Sequence, residues 1–98
     1  LLIAYEPLWA ISTAHGRPAQ PEEILETVLY IRKTLSILKG KRLAHAIPVL
    51  YGGAADPADS GAILEKGGVQ GLLVGRNSRD LSRFGEIVHI AESLKSLK

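Results

Sequence analysis

The 98-residue chain is 46% hydrophobic and 22% charged, carries a formal net charge of +2 and contains no cysteine. That composition is ordinary for a globular protein, and it leaves no room for disulfides, thiol catalysis or cysteine-based zinc sites. The positive excess is small and scattered, so no nucleic-acid partner is expected.

Residues 1–98 read as a single domain, able to bury a core with a small stability margin. No apolar run reaches the roughly 18 residues of a membrane span. The opening Leu1-Leu2-Ile3-Ala4 lacks the basic segment of a secretory leader. A soluble cytoplasmic protein with no membrane partner is expected. The first residue is not Met, as expected of a fragment or a processed chain.

Residues 1–5 are continuously apolar, the pattern of a buried parallel strand. Residues 6–20 then make a connection far longer than the usual βα loop of about 2–6 residues. Long loops in compact units are usually functional, often lids. Trp9 and Ile11 support a loop that closes, because large apolar residues are costly to leave in water. Trp9 also suits a plain packing role.

Pro21 fits a first helical position, and Glu22 and Glu23 favour the positive end of the helix dipole. Ile24, Leu25, Val28, Leu29, Ile31, Leu35 and Leu38 then form an apolar face, and Gly40 stops the helix. Lys39, Lys41 and Arg42 read as a solvated helix end and loop. Residues 47–51 form the second apolar run. Pro48 lacks a ladder donor, so it belongs near the strand start or on a free edge.

Asp56-Pro57 opens a shorter helix with Asp56 as N-cap, running to about Lys66 and ending at Gly67-Gly68. Residues 69–74 are the third apolar run. Phe84, Ile87, Val88, Ala91 and Leu94 line one face of a last helix. The order βαβαβα predicts an α/β fold with a parallel three-stranded sheet and right-handed crossovers.

Taken alone, Glu6 is a carboxylate at a strand end, and Gly52-Gly53 is a turn needing glycine freedom. Gly75-Arg76-Asn77 opens the last helical stretch, where backbone amides favour anions. His15, His45 and His89 show no metal-ligand spacing. They read as a loop, a strand-entry and a helix-face residue. Neither a Ser-His-Asp pattern nor a phosphate-binding P-loop is present, and no metal or cofactor is expected.

Three segments carry a family resemblance. Ala4-Tyr5-Glu6-Pro7-Leu8-Trp9-Ala10-Ile11 resembles the strand-six and lid-hinge motif of the triosephosphate isomerases. Tyr51-Gly52-Gly53 resembles the strand-seven phosphate loop of that family. Val69-Gln70-Gly71-Leu72-Leu73-Val74-Gly75 resembles its strand-eight motif. The three occur in the family's order and at about its spacing, over nearly the whole chain.

The resemblance implies the last three βα units of an eight-stranded (β/α) barrel of about 250 residues. The three strands would either keep that geometry or repack as a Rossmann-like or flavodoxin-like sandwich. Glu6 would be the base that moves a proton between adjacent carbons of a triose phosphate, interconverting dihydroxyacetone phosphate and glyceraldehyde 3-phosphate. Pro7, Leu8 and Trp9 would form the first lid hinge, and Ala10, Ile11, Ser12, Thr13 and Ala14 the lid tip. Ser12, Gly53, Gly75, Arg76 and Asn77 would hold the substrate phosphate, or a free phosphate or sulfate ion. The Tyr51 hydroxyl would hold the closed lid.

The sequence departs from the family pattern at several of these places. Ser12, Ala14 and Arg76 stand where glycine is usual, and Ala54 where serine is usual. The second hinge, residues 15–20, is about two residues longer than the common form. The phosphate-binding lysine and the carbonyl-polarising histidine of the family have no counterpart in this chain. Losing groups that stabilise an oxyanion costs orders of magnitude in rate, so the chain alone is predicted to be inactive. Open sheet edges and a bare inner face predict self-association, or completion by an N-terminal barrel part.

Overall fold

Three strands, β1 (Ile3–Tyr5), β2 (Val49–Tyr51) and β3 (Gly71–Leu72), form a parallel sheet in the order β1-β2-β3. Four helices accompany them: α1 (Pro21–Lys39), α2 (Lys41–Ala46), α3 (Pro57–Lys66) and α4 (Leu81–Leu97). Single 3-10 turns occupy Leu8–Ala10 and Arg76–Arg79. This computed structural model describes residues 1–10 and 19–97, without the side chains of residues 10 and 95–97. The expectations for Ile11, Ser12, Thr13, Ala14 and His15 lie outside the described residues.

Strand alternation sorts the side chains. Ile3 pairs with Val49, and Tyr5 with Tyr51 and then Leu72, on the face that the helices cover. Ile24 and Val28 of α1 and Ile63 of α3 are buried against Val49 and Tyr51 in one cluster. The row Ala4, Leu50, Gly71 points to the other face, where Ala4 is exposed. A side chain at Gly71 would press on Leu50 Cδ2 at 3.0 Å, so the glycine lets Leu50 lie across its neighbour.

α4 extends the helix layer by packing along α3, where Ile90 lies over Gly61. The described helices thus lie on or beside one face of the sheet. Sequential strand order with one-sided helices is the arrangement of successive barrel units, not of the two-sided sandwich that was the alternative.

The strands are shorter than their apolar runs. Leu1 is 95% exposed and precedes β1. Pro48 sits just before β2, where its carbonyl accepts the Ile3 N–H at 2.9 Å. Beside β3, Gln70 N–H donates to Val49 O at 2.8 Å and Leu73 N–H to Tyr51 O at 2.9 Å.

Residues 41–46 correct the sequence reading, because they form α2 rather than a loop. Gly40, at φ 90°, makes the left-handed turn between α1 and α2. Arg32 then ties the end of α2 to the sheet: its Nη1 donates to Ala44 O at 2.7 Å and to Ile47 O at 2.9 Å. His45 therefore belongs to α2 and not to a strand entry.

Candidate functional site

The chain leaves all three strands at the same end of the sheet, as a parallel order requires. Glu6 follows β1 directly and is exposed. Gly52 follows β2, and its N–H donates to Tyr5 O at 2.8 Å, which brings the two strand ends together. The Glu6 side chain lies over Gly52: a Cβ there would be 2.6 Å from Glu6 Cγ and 3.0 Å from Oε1. Only glycine leaves the carboxylate in this place.

Gly53 is buried, and a Cβ on it would collide with the Tyr51 hydroxyl. Tyr51 itself is fully buried, its ring packed edge-on to Tyr5 with centroids 6.1 Å apart. Its hydroxyl has no hydrogen-bond partner among the described residues. Burial pushes the phenol above its ordinary range, and its electrostatic interactions with Tyr5, Glu23 and Asp59 push in the same direction.

Beyond these residues a cleft of about 280 Å³ opens. One wall is the loop after β2, residues 52–56. The other is residues 75–77 together with Arg83. Four of the predicted phosphate residues, Gly53, Gly75, Arg76 and Asn77, thus meet in one cleft. Gly52 is shared between the cleft and Glu6, so the carboxylate stands at the cleft's border.

The roles within that cleft differ. Gly75 caps the 3-10 turn, and a Cβ on it would meet nothing within 4 Å. The first N–H groups of such a turn have no partner inside it. Arg76 is exposed at the turn's start. Asn77 holds the walls together: its Nδ2 donates to Ala55 O at 2.9 Å and to Asp56 Oδ1 at 3.1 Å. Its side-chain amide is therefore a brace, leaving the Asn77 backbone for a ligand.

The segment expected to form the first hinge starts on buried Pro7, but Leu8 is 87% exposed and Trp9 42% exposed. Trp9 is thus only half packed. Ala10 ends the 3-10 turn. The remainder of the expected lid, including Ser12, lies outside the described residues.

Sequence reasoning missed Ala55, Asp56 and Arg83 as cleft residues. Asp56 was visible only as an N-cap, a place it does hold, and without a side-chain capping bond. Arg83 carried no signal, being an unremarkable residue in the first turn of α4. Among the described residues no group of three or more His, Asp and Glu gathers as a metal site.

The arrangement holds a carboxylate beside a cleft edged with backbone amides and two guanidinium groups. Chemically it can hold a small anion and present a base next to it.

A model of the triosephosphate isomerase family matches residues 1–91. The chain is similar to the triosephosphate isomerase of Protochlamydia amoebophila, at 38% identity over all of this chain and 36% of the relative. It is 38% identical to that of Mycoplasmoides gallisepticum over 90% of this chain and 34% of the relative. It is 42% identical to that of Thermodesulfovibrio yellowstonii over 90% of this chain and 35% of the relative. The chain spans about a third of the length of these curated relatives. A family-wide sequence match, joined to a parallel sheet with one-sided helices, places the chain by descent: it belongs to the triosephosphate isomerase family.

Proposed function

We propose that this chain is the C-terminal third of a triosephosphate isomerase barrel and forms one domain fragment of it. In the completed barrel Glu6 takes a proton from the carbon beside a carbonyl and returns it to the neighbouring carbon. The residue 52–56 and 75–77 loops hold the substrate phosphate. The observation that carries this reading is the sharing of Gly52 between Glu6 and the cleft. It sets a proton acceptor next to an anion cradle at the strand ends where barrel chemistry is done.

Alone, the chain supplies base and cradle, but its sequence has no counterpart of the family's lysine and carbonyl-polarising histidine. It is therefore inactive by itself, its cleft binding phosphate without turnover. An apolar groove of about 800 Å³ runs between β3 and α4, lined by residues such as Leu72, Val74, Phe84 and Val88. In the completed barrel a further parallel strand from the N-terminal part fills this groove and covers the free edge of β3. No helix of the described residues is long and apolar enough to cross a membrane.

The test is to assay glyceraldehyde 3-phosphate turnover by the chain alone and after adding the N-terminal two-thirds of a relative. Turnover on mixing, absent from either part, supports the proposal. A mixture that associates but stays inert sinks it.

A further inference from the structure

We propose that Arg83 is a phosphate-binding residue of the cleft, parked between two carboxylates until a phosphate dianion draws it in. The inference rests on the reading of the cleft as an anion site. Arg83 comes from the first turn of α4 and lines the cleft wall. Its Nη1 is 3.9 Å from Asp56 Oδ1, and its Nε is 4.0 Å from Asp80 Oδ2. Both distances lie beyond hydrogen-bond range, and all three side chains are more than half exposed. Ion pairs this long and this wet hold a side chain weakly.

Neither carboxylate depends on the guanidinium. Asp56 Oδ1 accepts from Asn77 Nδ2 at 3.1 Å, and Asp80 Oδ1 accepts the Arg83 backbone N–H at 3.1 Å. The Arg83 head can therefore leave both without stranding a polar group. A phosphate offers it the better partner, since guanidinium and phosphate match in a two-pronged, charge-assisted hydrogen bond. Asp56 also gives the cleft a negative wall that would repel a dianion. Arg83 is the cation that stands near Asp56 and can neutralise it, and Arg76 lines the same cleft. The ligand class is a phosphomonoester or inorganic phosphate, in its dianionic form.

The experiment titrates the chain with inorganic phosphate at fixed ionic strength, following the amide resonances of Gly53 and Gly75. Arg83→Gln should weaken binding about tenfold, as loss of a charged hydrogen bond does. Arg83→Lys should fall between Arg83→Gln and wild type. Arg79→Gln removes a neighbouring charge outside the cleft lining and should change affinity less than about twofold. Asp56→Asn keeps the size and the acceptor for Asn77, and should tighten binding by releasing Arg83. Retained amide dispersion shows that each variant is folded. Equal affinity of Arg83→Gln and wild type, or equal losses in Arg83→Gln and Arg79→Gln, would overturn the inference. So would weaker binding by Asp56→Asn. A wild type with no saturable response fails the cleft reading as a whole; a binding wild type with an unaffected Arg83→Gln removes Arg83 alone.

Discussion

The Glu6 side chain lies across the α-carbon of Gly52, close enough that a single added methyl would stand 2.6 Å from Glu6 Cγ. The backbone fixes this approach, because Gly52 N–H donates to the carbonyl of Tyr5, the residue before Glu6. Glu6 is exposed, so it can move aside without unfolding anything. Gly52→Ala should therefore leave thermal stability within about 1 kcal/mol of wild type. In a reconstituted barrel it should lower turnover about a hundredfold, the scale set by a misplacement of about 1 Å in a reacting group. Melting temperature and isomerase assay on one preparation check both halves.

Gly53 faces a less forgiving neighbour. The Tyr51 hydroxyl occupies the space of its missing Cβ, on a ring that is fully buried. Gly53→Ala should destabilise the chain by about 1–3 kcal/mol, the usual cost of overpacking. Tyr51→Phe in the same background should return part of that loss. A double-mutant cycle in urea should then show a favourable coupling between the two changes.

Much of this frame was legible in the sequence. Continuous apolar runs bounded by glycine or proline predict three parallel strands, and Pro21 and Gly40 mark the bounds of α1. α2 was not legible, because its six residues carry too few apolar positions to show a period. What orders it is Arg32, twelve and fifteen residues away from the carbonyls it binds. The cleft was legible at Gly52-Gly53, where glycine signalled a turn, and at Gly75-Arg76-Asn77, where a helical stretch opens. Arg83 meets Asp56 across 27 positions, a contact that no local pattern encodes. The strands are trimmed because Pro48 and the exposed Leu1 and Leu2 fall outside the paired ladder.

The buried Tyr51 hydroxyl predicts a dependence on alkaline pH. Its folded-state pKa is raised above the ordinary value of about 10 by burial first, then by nearby negative groups. Below that ordinary value the tyrosine is protonated in both states and contributes no slope. Above it the unfolded chain releases the proton while the folded chain keeps it, so stability falls as pH rises. Tyr51→Phe should abolish this part of the alkaline loss. It should also stabilise the chain by about 1 kcal/mol near neutral pH, because it removes a buried hydroxyl that has no partner among the described residues. Urea midpoints from pH 7 to 11 for both proteins read the difference.

Arg32 links α1 and α2 to the segments that enter β2 and β3, at the opposite end of the sheet from Glu6. Besides Ala44 and Ile47 it donates to Gln70 Oε1 at 2.6 Å, and that same oxygen accepts the Val49 N–H at 2.9 Å. Arg32→Ala should cost about 2–3 kcal/mol, since it removes a charged donor from two part-buried carbonyls at once. Arg32→Lys should recover little of this, because an ammonium lacks the planar fork that reaches several acceptors. A shift of the urea midpoint with unchanged slope would register each loss.

We propose that Glu6 is the base of a triosephosphate isomerase barrel to which this chain contributes about a third of the length. This central claim is tested most directly by a chimera in which residues 1–91 replace the matching region of the Thermodesulfovibrio yellowstonii triosephosphate isomerase. The prediction is measurable turnover of glyceraldehyde 3-phosphate, falling about 10²–10⁴-fold in the Glu6→Gln chimera with the fold unchanged. A folded chimera that turns over equally well with glutamine at position 6 would contradict it.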